Sequence, residues 1–258
     1  MSEEIYIGVG ASEQEWLPFQ VLRHSILSRT NRNVVVEPLY AAAAFIQVPT
    51  PRDPKQRPVT AFSFQRFLLP EICGFVGKSI YLDSDQIVRG EIGDLWDTPF
   101  PFGAKCLNTG GWQSAVMLID NAATQWRIAE FVERLDRGEW SYTAMMNLKY
   151  PAFGLQPGLD PLWNVIDRPD PQKMDTKRAK LLHYTDMGLQ PWLNTSHPHG
   201  ALWSTELLNA IAAGALTVDD VLREINAGHV RPSLALLIGE EQAYADHEFI
   251  PPHKRVKT

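Results

Sequence analysis

Two aspartates, Asp83 and Asp85, follow the apolar run Ser79-Ile80-Tyr81-Leu82 and precede Gln86-Ile87-Val88. The run reads as a short strand, and on an extended chain side chains at i and i+2 share one side. Two hard oxygen ligands so placed suit Mg²⁺ or Mn²⁺ better than a hydrophobic core. Such an ion can hold a diphosphate that leaves in a transfer reaction. A pair of this spacing also occurs in ordinary turns, so the reading depends on what else can join it. His183 follows the predicted strand Lys180–Tyr184 and precedes a glycine-containing loop closed by Pro191-Trp192. A neutral imidazole there would complete a carboxylate–imidazole set of Asp83, Asp85 and His183 that tolerates Mn²⁺. Arg66 stands among Phe62, Phe64, Phe67 and Leu68, neighbours too apolar for an exposed helix. A guanidinium held on such a scaffold can bind phosphate or hydroxyl groups with directed hydrogen bonds.

These residues need a frame. Ile5–Gly10 reads as a buried first strand ending in a glycine turn, Glu13–Ser28 as a helix with Trp16, Phe19, Leu22 and Ile26 on one face, and Asn33–Leu39 as a β-branched second strand. Strand, helix and strand in that order open a largely parallel α/β sheet, with the ligand crevice at the carboxyl ends of its strands. Pro49–Pro58, carrying Arg52, Lys55 and Arg57, reads as a mobile loop near the site. A helix is expected over Phe62–Phe75, interrupted or kinked at Pro70. Ser114–Asp120 reads as an apolar strand, Ala123–Leu135 as an amphipathic helix burying Trp126, Ile128, Phe131, Val132 and Leu135, and Thr143–Leu148 as a short helix. Ser204–Ala213 and Thr217–Asn226 read as C-terminal helices, with Thr217 and Asp220 as a capping pair and Gly214 and Gly228 at their ends. The expected organisation is one domain over residues 1–258: a nucleotide-sugar-binding core (1–193), a helical region (194–250) and a flexible basic tail (251–258).

A net charge of -6 argues against a general nucleic-acid binder. Cys73 and Cys106 have no CxxC or CxxH neighbour, so reduced, partly buried thiols are expected. No basic-then-apolar segment precedes Ile5 and no apolar run reaches the length of a membrane span, so the expected compartment is the cytoplasm. Phosphatases of the haloacid-dehalogenase type also use two aspartates, but they want a hydroxyl residue two places after the second, where this chain has Ile87. A sugar-1-phosphate nucleotidyltransferase would want a basic residue in the first glycine turn, which Gly8-Val9-Gly10-Ala11-Ser12 lacks. His197 and His199 alternate as metal ligands can, but no cysteine or carboxylate nearby in sequence completes a site, and a solvent loop is expected.

Taken together, Arg66, Tyr81-Leu82-Asp83-Ser84-Asp85, Gly90–Trp96, Val116–Asp120 and His183 through Pro191-Trp192 resemble, in type and order, the glycosyltransferases of the glycogenin and lipopolysaccharide galactosyltransferase superfamily. The likeness runs over roughly residues 5–193. It implies a GT-A-type, Rossmann-like, mixed and mostly parallel sheet flanked by helices, with C-terminal helices. It also implies a hexosyltransferase that uses a UDP-sugar donor and Mn²⁺ or Mg²⁺, with retention at the anomeric carbon. By the same likeness Asp83, Asp85 and His183 hold the metal, and Gly8, Val9, Gly10, Arg66, Ser84, Gln113, Ser114, Gly188 and Gln190 contact the donor. Trp163 and Asn164 match an aromatic–Asn pair near the acceptor, a glycan or small molecule.

Three positions depart from the family's pattern. The turn after the first strand has Gly10 in place of an acidic or amide residue. Gln190 stands where a lysine usually precedes Pro-Trp. Tyr142–Asn147 lacks the Asp-Gln pair, so no catalytic nucleophile is named. The same three positions motivate the competing reading, a catalytically inactive scaffold that binds nucleotide or glycan.

Overall fold

Ile5, Ile7 and Val9 are all fully buried, as a central strand covered on both faces requires. They lie on β1 (Ile5–Gly10) in a computed structural model that describes residues 4–60, 62–100, 102–167 and 176–255. The other strands are β2 (Val34–Pro38), β3 (Lys78–Asp83), β4 (Gln86–Val88), β5 (Ala104–Asn108), β6 (Trp112–Asp120), β7 (Leu155–Gln156), β8 (Val165–Ile166) and β9 (Leu181–His183).

The chain divides into two compact units. The first takes in residues 1–12, 30–84 and 91–164 and holds a six-stranded sheet in the order β2-β1-β3-β6-β5-β7. Three of its neighbouring pairs are parallel (β1 with β2, β1 with β3, β5 with β7), and β6 runs antiparallel to both β3 and β5. The expected mixed, mostly parallel sheet is therefore present. Beside it lies an aromatic core in which Phe67 stacks on Phe153 at 5.3 Å between ring centroids and meets Trp126 and Phe131 edge-on. Burial of Phe67 fixes the turn that carries its neighbour Arg66.

The second unit takes in residues 13–29, 85–90 and 165–258 and holds a three-stranded sheet, β4-β9-β8. Its core gathers Tyr184, Trp192, Trp203, Val221 and Ile225, from β9's end, the following loop and the helices Gly200–Ala212 and Val218–Asn226. The Thr217–Asp220 capping box forms in both directions, and Gly214 and Gly228 take positive φ at helix ends, as their positions in the sequence predict.

Three predicted elements differ in the structure, each for an identifiable reason. The run Ser79–Val88 is not one strand: β3 ends at Asp83 and β4 begins at Gln86, with a bend at Ser84-Asp85. Strand alternation is thus not what brings the two carboxylates together. Phe62–Phe75 is not one helix but a 3₁₀ turn, Gln65–Phe67, followed by Leu69–Ile72, where Pro70 occupies the first turn that proline tolerates. The helix expected over Ala123–Leu135 is two, Asn121–Thr124 and Ile128–Asp136, because Gln125 takes a left-handed φ of 46° between them. Its expected buried face holds nonetheless. In the Pro49–Pro58 segment, the Arg52 N–H donates to Asp136 and Gln56 accepts from the Tyr142 N–H. At the basic tail, Pro252–Lys254 forms a 3₁₀ turn and Arg255 donates to the Gly228 carbonyl, while Val256–Thr258 lie outside the described residues. Among the described residues no helix is long and apolar enough to cross a membrane.

Candidate functional site

Asp83 ends β3 beside the end of β1, paired in register with Gly10. The Gly10 carbonyl accepts from the Ser84 N–H at 3.1 Å, which fixes the chain as it leaves the strand. The Tyr81 hydroxyl donates to Asp83 Oδ1 at 2.5 Å, a short charge-assisted bond. Tyr81 reaches that carboxylate because Gly10 has no side chain. A Cβ at Gly10 would lie 2.1 Å from the Tyr81 hydroxyl oxygen. Arg66 approaches from its 3₁₀ turn: Nη2 lies 3.5 Å from Asp83 Oδ1, Nη1 donates to Ser114 Oγ, and the guanidinium carbon sits 5.2 Å from the Tyr81 ring centroid. With 12% of its side chain exposed, Arg66 is not the solvated helix charge that its position alone would allow.

Asp85 and His183 come together through the small sheet. Gln86 pairs with His183 in the antiparallel β4–β9 ladder, and the Tyr184 N–H donates to the Asp85 carbonyl. This pairing brings His183 Nε2 to 3.0 Å from Asp85 Oδ1. Asp85 Oδ1 is buried with that imidazole nitrogen as its polar neighbour, whereas Oδ2 accepts from Gln190 Nε2 at 3.2 Å. A buried carboxylate oxygen facing an imidazole nitrogen is stabilised by a positive charge shared between them, a proton on the ring or a cation held by both groups. Asp85 and His183 thus face each other, and Asp83 stands two residues before Asp85 in the chain. Two carboxylates and an imidazole fit a divalent ion of the Mg²⁺–Mn²⁺ kind.

The remaining expected site residues are distributed as follows. Gly8 and Val9 are buried, and a Cβ on Gly8 would collide with Leu39 and Leu69. Gln113 accepts from Asn164 at 2.6 Å and donates to Thr109. Gly188 is exposed, and its N–H donates to Asp186. Gln190 is 7% exposed, with its amide nitrogen donating to Asp85 and to the Tyr184 carbonyl. Trp163 is 1% exposed, which makes it a core residue, and Asn164 is buried beside it in sequence. The solvent loop expected at His197 and His199 is overturned at His197. Its ring is buried, with Nε2 3.2 Å from Asp167 and Nδ1 accepting from the His199 N–H. Cys73 and Cys106 are free thiols whose pKa burial pushes up to about 11 and about 12, which disfavours the thiolate at both. Sequence reasoning missed Tyr81 and Asp167. The only signal for either was a polar group next to a predicted strand end.

Replacing Gly10 by Ala is expected to cost about 1–3 kcal/mol in urea unfolding by overpacking against the phenol. Gly10→Ala combined with Tyr81→Phe, which removes the nearest atom, should recover part of that loss. Equal losses in the two variants would mean that Gly10 is not there to admit Tyr81.

The six-stranded sheet with its flanking helices is the GT-A glycosyltransferase fold. The bifunctional glycosyltransferase WbbM in its apo form superposes with a TM-score of 0.62 at 14% identity, covering 81% of this chain and 50% of that one. The galactosyltransferase LgtC, solved with donor and acceptor sugar analogues, superposes at 0.55 with 13% identity over 82% of this chain and 100% of that one. The glycosyltransferase GlyE of Streptococcus pneumoniae TIGR4 superposes at 0.54 with 16% identity over 88% and 64%. In sequence, the chain is 32% identical over 91 residues to Protein CDI of Arabidopsis thaliana (35% of each chain). It is 45% identical over 47 residues to Glycosyltransferase 8 domain-containing protein 1 of Xenopus tropicalis, covering 18% of this chain and 13% of that relative. The matches thus span about a third of the first relative's length and far less of the second's. No family model matches the chain.

Proposed function

We propose that this chain is a metal-dependent glycosyltransferase that moves a hexose from a nucleotide-sugar donor, most simply a UDP-sugar, to an acceptor hydroxyl with retention. The observation that carries the reading is the pairing of Asp85 Oδ1 with the His183 imidazole at 3.0 Å, two residues after Asp83 in the chain. These three side chains would hold the ion, and the imidazole favours Mn²⁺ over Mg²⁺. When bound, the ion neutralises charge on the donor's diphosphate. Arg66, seated on Ser114 and Asp83, supplies a second positive group beside the acidic pair. Gln190 holds Asp85 in place and brings no charge of its own. Ser84, the Gly8-Val9-Gly10 turn, Gln113 and Gly188 are proposed donor contacts, and Asn164 an acceptor contact through its link to Gln113. With no nucleophile named, the simplest retaining route is front-face attack by the acceptor hydroxyl as the bond to the diphosphate breaks, its proton passing to the departing phosphate. The two free thiols accord with a reducing, cytoplasmic setting.

The test is a thermal-shift panel of UDP, GDP and CDP, each with and without Mn²⁺. Stabilisation by one nucleotide only in the presence of Mn²⁺ is the expected result. A flat response to all six conditions would reject the proposal. Anomeric analysis of the product, once a donor is found, separates retention from inversion.

A further inference from the structure

Asp167 follows β8 directly, and β8 pairs in parallel with β9, with Ile166 opposite His183. The Asp167 side chain is 2% exposed and takes part in no chemistry assigned above. It is nonetheless the most heavily bonded carboxylate in its surroundings. Oδ1 accepts from the Thr185 N–H at 3.0 Å and from the Thr185 hydroxyl, and Oδ2 accepts from the Asp186 N–H at 3.2 Å. Oδ2 also lies 3.2 Å from His197 Nε2. Because His197 Nδ1 accepts from the His199 N–H, the ring proton sits on Nε2 and donates to Asp167. Both ring nitrogens of His197 are therefore occupied, and the pair is not an acid–base dyad waiting for a substrate. Burial works against the charge on Asp167, but the bonds from His197, Thr185 and Asp186 outweigh it and hold the carboxyl well below the usual range.

What these bonds accomplish is geometric. Thr185 and Asp186 begin the loop that leaves His183, and His197 ends it. The His197 ring also packs edge-on against Tyr184 at 4.9 Å. Between the two anchors lies Gln190, whose amide spans the Tyr184 carbonyl and Asp85 Oδ2. We propose that Asp167 is a positioning residue: it pins both ends of the loop 185–197 so that Gln190 orients Asp85 for its ligand. The consequence for metal binding rests on the proposed function. The tether itself does not.

The test uses the full chain and Asp167→Asn, which keeps the shape but turns one acceptor oxygen into a donor that opposes the N–H groups facing it. In the metal-free protein, amide hydrogen exchange of 185–190 should speed up at least tenfold. The Mn²⁺ dissociation constant, read from free Mn²⁺ by electron paramagnetic resonance, should rise about tenfold or more, as changes behind a ligand typically do. Thr185→Val, a milder change, should shift both readouts less and in the same direction. Glu206→Gln is the control. That buried carboxylate is held by His24 and Arg29 in the same unit, and its loss should lower stability without altering Mn²⁺ affinity. Unchanged exchange in Asp167→Asn would overturn the inference, as would a Glu206→Gln effect on Mn²⁺ affinity equal to that of Asp167→Asn. A wild-type protein that binds no Mn²⁺ would sink the metal reading, and the exchange result would still decide whether Asp167 holds the loop.

Discussion

Asp85→Asn is expected to abolish the Mn²⁺-dependent thermal shift while leaving the metal-free protein at least as stable as the wild type. Two facts set the sign. Asp85 Oδ1 faces His183 Nε2 at 3.0 Å, and the Asn amide nitrogen in its place can donate to that nitrogen of a neutral imidazole. The bond that Oδ2 accepts from Gln190 can be kept by the Asn carbonyl oxygen. Removing one of two neighbouring carboxylate charges also relieves their mutual repulsion. Changes behind a ligand cost about 10–100-fold in metal affinity, so loss of a ligand itself should exceed about 100-fold. At a Mn²⁺ concentration of 100 times the wild-type dissociation constant, the ion stabilises the wild type by about 2.7 kcal/mol and a 100-fold weaker variant by only about 0.4 kcal/mol. A structural aspartate would behave in the opposite way, lowering the metal-free midpoint with no effect on the shift. Differential scanning fluorimetry with and without Mn²⁺ separates the two, and a shift that survives in Asp85→Asn rules out the site.

Arg66→Ala should be the most destabilising single change near the site. It leaves Asp83, 17% exposed, with its nearest cation gone and leaves Ser114 Oγ without the guanidinium. Breaking a buried ion pair from one side costs about 3–5 kcal/mol. The Tyr81 bond to Asp83 remains and the Arg66–Asp83 separation is long, so the lower figure, about 3 kcal/mol, is expected in urea unfolding. Arg66→Lys is the informative companion. Lysine restores a positive charge and should recover part of the stability. It cannot reach Ser114 and Asp83 together as a planar fork does, so nucleotide binding should stay weak. Full nucleotide affinity in Arg66→Lys would assign Arg66 to stability alone.

The candidate site was only partly legible along the chain. Asp83, Asp85 and His183 stood out because residue types that ligate hard cations are conspicuous next to apolar strands. Alternation on one strand does not account for the aspartate pair, because the strand breaks at Ser84-Asp85. Gln190 looked like a group facing a diphosphate. In the fold its amide is engaged by Asp85, 105 residues away. His197 looked exposed because its partner Asp167 lies 30 residues upstream, beyond any local pattern. Trp163 matched an acceptor-site motif and is buried in the core.

What the chain determines on its own are features decided within a few residues. The first strand, the Thr217–Asp220 capping box, the positive-φ glycines at helix ends and the buried stripe of Ile128, Phe131, Val132 and Leu135 all follow from side-chain period and backbone sterics. Where those elements stop, and which of them meet, was settled by packing. The left-handed turn at Gln125, the approach of the Tyr81 hydroxyl across Gly10 to Asp83, and the ladder that sets Gln86 opposite His183 exist only once distant segments are pressed together. A strand's register and a buried group's partners depend on neighbours far along the chain, so they are properties of the assembled sheets rather than of any window of sequence.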